Sequence, residues 1–495
     1  MPPTPELQRF LSTSSRSNSI NSSSSSRSSS SSANQQHGGN GKRRICSPRA
    51  NQAVDLLPVY LADARAVETY SEACPEGALQ LGVAESLLLE DLLMPVLKDP
   101  KMMSDAIGPD CIYYQPTAGR EGLRQAMAAY IEETVGLEKG RLDTDGLVIG
   151  AGCNAVLENL CFCLADRGDA VMIPTPYYAA FEFDLVARAG MTIQPVNTLE
   201  YQDKSSKEQS NSSSNSMINP EQYYPNRASL EAAYHLAQES GHTPRILLLS
   251  HPMNPLGICY PPAVIQECID FCRSREVHLI SDEIYMGSVH QPASANFEST
   301  LKLADTGPAG LGTFVHWVYA LSKDFCLSGL RVGAAYTENE EIRVPLQKLN
   351  DLCQVSSPTQ VWTEQVMKRL SDENPQETWT ASFRRENHKR LSKRSSALTA
   401  TLDDCQIPYL EPTAGLFCWM DLSEFLPSDL SMSPGDRERQ LYLEMVNEFG
   451  LLFTPGWSMR NEKPGFFRCV FTAATQEEFT LSLERFRKFA AAKRQ

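Results

Sequence analysis

An α/β protein is the fold this 495-residue chain predicts: a large domain built on a mainly parallel sheet between helices, with a smaller α+β domain beside it. Three observations predict it. Short apolar runs recur at Leu147–Ile149, Ala170–Ile173, Arg245–Leu249, Val277–Ile280 and Val315–Leu321, each closed by polar or turn residues. The stretches between them read as helices, and strands buried on both faces lose their in–out alternation. After about residue 340 the pattern changes to charged helical segments mixed with alternating strands.

The elements follow in order. Residues 1–54 form a Ser-rich tail (SSSSSRSSSSS, then QQHGGNGKRR) with almost nothing to pack, and disorder is expected there. The tail holds basic residues and little acid, as a transit peptide would, although an untargeted tail fits equally and a cytoplasmic location is the default. Residues 55–90 are expected to join the small domain, 91–340 to form the large one and 341–495 to complete the small one. Leu123, Met127, Tyr130 and Ile131 share one face of a helix over Gly119–Ile131. A polar stretch (KSSKEQSNSSSNS) makes 200–218 an inserted loop. Helical segments run from Ile342 to Thr401, and Gly415–Leu422, Leu451–Phe453 and Phe467–Phe471 read as strands. Between them, Leu441, Met445 and Phe449 line a helix stopped by Gly450, and Thr475 with Glu478 caps the last helix.

Composition excludes several classes. A net charge of −15 disfavours nucleic acid as the main partner. No run of 18 apolar residues is present, so no membrane span is expected. The 14 cysteines show no CxxC pairing; buried free thiols and a reducing compartment are the reading, and no metal is expected.

The richest stretch is YALSKDFCLSGLRVG, Tyr319–Gly333. A lysine amine condenses with an aldehyde to a Schiff base, and a guanidinium grips phosphate through a two-pronged contact. Pyridoxal 5′-phosphate (PLP) carries both groups, so Lys323 is the candidate anchor, with Arg331 and Ser322 for the phosphate. Gly150 and Gly152 precede a helix whose first amides, at Cys153, Asn154 and Ala155, suit the same anion. Asp282, closing the strand HLISD, needs a cation, and the PLP pyridinium nitrogen is one. Asn254, in HPMNPLG, and Tyr285 offer donors to the phenolic oxygen, and Tyr177, in PTPYY, offers a ring to stack. Each has a plainer reading as a turn amide, a helix cap or a core ring. Arg468, alternating with apolar residues in FFRCVF, wants a carboxylate, either an internal acid or that of an amino acid substrate.

With LGVAES, AGCNAVLENL, LADRGDAVMIPTPYYAAFEFDL, HPMNPLG, SDEIY, SKDFCLSGLRVG and TAGLFCWMDL in order, the chain resembles the class I/II aminotransferases of PLP fold type I. Within them it is most similar to the branch of the 1-aminocyclopropane-1-carboxylate (ACC) synthases. The resemblance implies a homodimer acting on amino acid and keto acid substrates, with Lys323 also moving the Cα proton. It assigns Asp282, Asn254, Tyr285, Tyr177 and Arg331 to the cofactor and Arg468 to the substrate carboxylate, and it places Glu85 and Tyr114 near the substrate.

Three positions depart from ACC synthases. Ser86 follows Glu85 where they carry Asn, Thr117 stands where they carry a tyrosine, and Ala320 replaces a phosphate-binding serine. Tyr114 instead matches the tyrosine of ordinary aminotransferases. Amino-group transfer is therefore favoured over ACC formation, with a β- or γ-eliminating lyase third and a non-catalytic regulatory module last.

Overall fold

The computed structural model describes residues 46–201, 217–305 and 310–494. The Ser-rich run and nearly all of the 200–218 insert lie outside those residues. A seven-stranded sheet forms the centre, in the order β2-β8-β7-β6-β5-β3-β4. Its strands are β2 (Leu147–Gly150), β3 (Ala170–Pro174), β4 (Thr192–Val196), β5 (Pro244–Ser250), β6 (His278–Asp282), β7 (Val315–Ala320) and β8 (Gly333–Tyr336). Only β8 runs against the others.

Both faces are apolar. Along β5, Ile246 and Leu248 enter one core cluster while Leu247 and Leu249 enter the other. Leu346 and Leu157 cover the first face, and Ile265, Ile269 and Met127 cover the second. This two-sided burial is why these strands read as continuous apolar runs.

A short parallel pair joins β1 (Leu79–Gln80) to β10 (Leu451–Leu452), bringing the N-terminal segment to the C-terminal part of the chain. Beside it, β11 (Thr454–Pro455), β12 (Phe466–Val470) and β9 (Phe417–Asp421) form an antiparallel sheet. Helices Trp379–Asp404, Pro434–Phe449 and Gln476–Lys493 pack around these strands. Gly450, in the left-handed region at φ 61°, ends the second of these helices, and Thr475 with Glu478 makes a reciprocal cap on the third.

Two expectations change. Disorder was expected through residue 54, yet Pro48–Asp55 is helical: the Ser47 hydroxyl accepts from the Ala50 N–H and Pro48 opens the first turn. Strands β4 and β8 were not anticipated. β4 is only half-buried and carries Pro195, and β8 is four residues (GAAY), three of them small, beginning at the last glycine of a motif read for its chemistry.

Candidate active site

The carboxyl ends of β5, β6 and β7 lie side by side, with Ser250 in register with Asp282 and Asp282 with Val318. Ligands in sheets of this type bind beyond such ends. There the chain forms a cleft of about 680 Å³, mouth included, lined among others by Cys153, Asn154, Asn254, Asp282, Tyr285, Ser322, Lys323 and Arg331.

Lys323 leaves β7 on a single helical turn, Leu321–Asp324, and its partly buried amine donates to the Ala84 carbonyl at 2.6 Å. Burial and the Arg468 charge lower its pKa to about 8, against the opposing pull of Glu85. Such an amine is neutral about a tenth of the time at pH 7, far more often than an unperturbed lysine, and the neutral form is the nucleophile. Asp282 is 5 % exposed and meets no cation among the described residues. It accepts from the Ile284 N–H at 3.2 Å and from the Cys153 thiol at 3.8 Å. Burial pushes it up to about 7.

Arg468, on β12, is 2 % exposed. Its guanidinium donates to Asn254 Oδ1 at 2.7 Å, the Gly82 carbonyl at 2.6 Å and Thr454 Oγ1 at 3.2 Å, while its Nε has no partner. The internal acid that a lone arginine would take is missing among the described residues. Asn254 thus links the cleft to the arginine. Tyr285 is fully buried, edge-on to Phe417, with its hydroxyl held protonated by burial.

The anion cradle is built from close backbone approach. Gly152, at φ 90°, ends the turn after β2, and a Cβ there would stand 2.4 Å from Arg331 Nη2. Gly333 has no more room, since its Cβ would meet the Gly152 carbonyl carbon at 2.6 Å. The helix Cys153–Leu164 starts without a side-chain cap, so the amides of Cys153, Asn154 and Ala155 have no acceptor from one. Arg331 is exposed and anchored by the Ser328 carbonyl at 3.0 Å.

Three residues sit differently from the expectation. Tyr177 turns out of the cleft, and its hydroxyl donates to Glu182 at 3.1 Å. Its neighbour Tyr178 lines the cleft instead, where the chain turns after β3. Glu85 is exposed beside the cleft rather than within its lining: the Ser328 hydroxyl, a cleft group, reaches it at 3.4 Å, and its charge acts on Lys323. Tyr114 is fully exposed and touches no part of its own cleft. Sequence reasoning also missed Asp184, a cleft carboxylate that accepts from Asn154 Nδ2 at 2.7 Å and is pushed up to about 6 by burial. Its presence within FEFDL carried no separate signal.

These features fit PLP. An uncompensated carboxylate awaits a ring cation, the amides and Arg331 await an anion, and an amine lies within the same cleft. Comparisons point the same way. The family model described as aminotransferase class I and II matches residues 79–486. The chain is 34% identical to 1-aminocyclopropane-1-carboxylate synthase 7 of Arabidopsis thaliana over 85% of this chain and 88% of that protein. It is 33% identical to 1-aminocyclopropane-1-carboxylate synthase CMA101 of Cucurbita maxima over 84% and 82%. Among solved structures, the aspartate aminotransferase of Rhizobium meliloti superposes with a TM-score of 0.68 at 20% identity, covering 90% of this chain and 98% of that one.

Proposed function

Because this chain belongs to the class I and II aminotransferase family, whose enzymes depend on PLP, we propose that it moves an amino group between an amino acid and a 2-keto acid. One observation carries the reading. Lys323 and Asp282 line one cleft and Arg468 stands behind its wall, bonded to the cleft residue Asn254; all three are substantially buried, and none is paired with an opposite charge among the described residues. Leaving three such groups unpaired is expensive, and the expense is recovered only when a ligand supplies the complements.

Bound at this cleft, PLP would supply an electron sink for charge developing at the substrate Cα. The protein's own residues do the rest. The Lys323 amine would hold the cofactor through its aldehyde, and the same amine is placed to take up and return the Cα proton. Asp282 keeps the ring nitrogen protonated, and Asn254 and Tyr285 hold the phenolic oxygen. Arg331, Ser322 and the amides at Cys153, Asn154 and Ala155 hold the phosphate. Tyr178, rather than Tyr177, supplies the ring beside the cofactor. Arg468 and Asn254 together grip the substrate carboxylate. Members of the family are typically dimers, and Tyr114, wholly exposed on its own protomer, is assigned to the partner's cleft. The pairing of β1 with β10 supports grouping 55–90 with the C-terminal part of 341–495 as a smaller unit beside the 91–340 unit.

A second reading has its own support. The curated relatives quoted are ACC synthases, which points to closure of ACC from S-adenosylmethionine. Thr117 and Ser86, at positions where that branch differs, favour transfer. A substrate panel decides between them. Nitrogen exchange between an amino acid and keto acid pair is expected, with little ACC from S-adenosylmethionine; rapid ACC formation without exchange would reverse the assignment.

A further inference from the structure

Directly after Lys323 lies a carboxylate that the proposed chemistry does not use. Asp324 is 4 % exposed and points away from the cleft, beneath the turn that carries the amine. Three donors converge on it: the Gly287 N–H at 2.7 Å, the Ser288 hydroxyl at 2.6 Å and the Tyr319 hydroxyl at 3.1 Å. Tyr130 stands behind Tyr319 at 3.2 Å, and His388 is fixed by the Gly287 carbonyl at 2.9 Å. Asp324 has no ion-pair partner among the described residues, and burial pushes it up to about 7 against the pull of its three donors and of the more distant Arg384. Packing at this point is tight, since a Cβ on Gly287 would sit 2.7 Å from Asp324 Oδ2 and 2.8 Å from the Tyr130 hydroxyl.

The location of these donors matters. Gly287 and Ser288 belong to the turn that follows Asp282 and Tyr285. The carboxylate therefore joins the turn bearing the amine to the turn bearing the ring contacts, two segments 36 residues apart. We propose that Asp324 is a positioning residue that sets the Lys323 amine against Asp282 and Tyr285, so that the amine meets the cofactor aldehyde. This rests on reading Lys323 as the Schiff-base residue. Only a carboxylate accepts from all three donors without presenting a hydrogen to one of them; an asparagine must turn its NH₂ toward Gly287 or Ser288.

The test compares wild type with Asp324→Asn, Asp324→Ala, Ser288→Ala and the Asp324→Asn/Ser288→Ala double variant. Affinity for PLP and for pyridoxamine 5′-phosphate, which lacks the aldehyde, is measured by titration. The pH midpoint of the Schiff-base absorbance and the Tm are recorded alongside. Loss of charge-assisted bonds should weaken PLP about tenfold in Asp324→Ala and about threefold in Ser288→Ala. The pH midpoint should move in both, pyridoxamine phosphate should bind all variants alike, and the double variant should be no worse than Asp324→Asn alone. Should Asp324→Ala fail to fold, Asp324→Asn and Ser288→Ala carry the test. PLP affinity and pH midpoint unchanged in those two, whatever their Tm, would overturn the proposal and leave Asp324 a fold residue. Absence of a Schiff-base band in the wild type would instead bring down the reading of Lys323 itself, and this proposal with it.

Discussion

Asp282 and Glu283 are consecutive buried carboxylates where β6 gives way to its loop, and they face opposite sides of the sheet. Glu283 is fully provided for. It accepts from the Ser281 and Ser299 hydroxyls at 3.0 and 2.6 Å and from the Thr300 N–H at 2.8 Å. Asp282 has one backbone donor and a distant thiol. The same contrast holds for two buried arginines. Arg485 spends its guanidinium on the carbonyls of Pro75, Gly77 and Gly450, whereas Arg468 keeps an unpartnered Nε. Burial alone does not separate the members of these two pairs; how completely each buried charge is satisfied does.

The sharpest break of the comparison is Asp282→Asn. A buried carboxylate–pyridinium pair is worth about 3–5 kcal/mol to break, so turnover should fall by about a hundredfold or more. The cofactor-free variant should nevertheless be more stable than wild type at pH 8, by on the order of 2 kcal/mol, because an unpaired charge has been removed. Glu283→Gln should do the reverse. It should lower stability by about 1–3 kcal/mol in a denaturant titration and leave PLP affinity untouched. Next in size, Arg468→Ala should raise KM for the amino acid by about tenfold to a hundredfold with cofactor binding spared, since a fork to carboxylate contributes about 1.5–3 kcal/mol.

Stability should also depend on pH. Asp282 is raised from 3.8 in the unfolded chain to about 7 in the cofactor-free fold, so the native state holds the extra proton between those values. Its contribution to stability therefore falls as pH rises from about 4 to 7 and is level above. The stability advantage of Asp282→Asn over wild type should open across that window. An advantage independent of pH would place its origin elsewhere.

Much of this was legible in the chain. The five apolar runs locate five of the seven central strands because two-sided burial writes itself as continuous hydrophobicity. Charged residues at strand ends, Asp282 and Lys323, declared themselves because such positions are costly without a partner. What failed has a common cause: one-dimensional spacing does not give side-chain direction. PTPYY offers two tyrosines, and only the fold assigns Tyr178 to the cleft. Strand β8 was hidden because it is short and opens on Gly333, which is small for a packing reason, the approach of Gly152. Asp324 and Asp184 were invisible as neighbours of the cleft, since Asp324 meets Ser288 36 residues away and Asp184 meets Asn154 30 residues away.

The central claim is a covalent bond from Lys323 to the cofactor aldehyde. Borohydride reduction of the PLP-loaded protein, followed by digestion and mass spectrometry, tests it most directly. A phosphopyridoxyl group on the Lys323 peptide, absent from Lys323→Ala, is the predicted result. A label on another lysine, or none with PLP bound, would contradict the account.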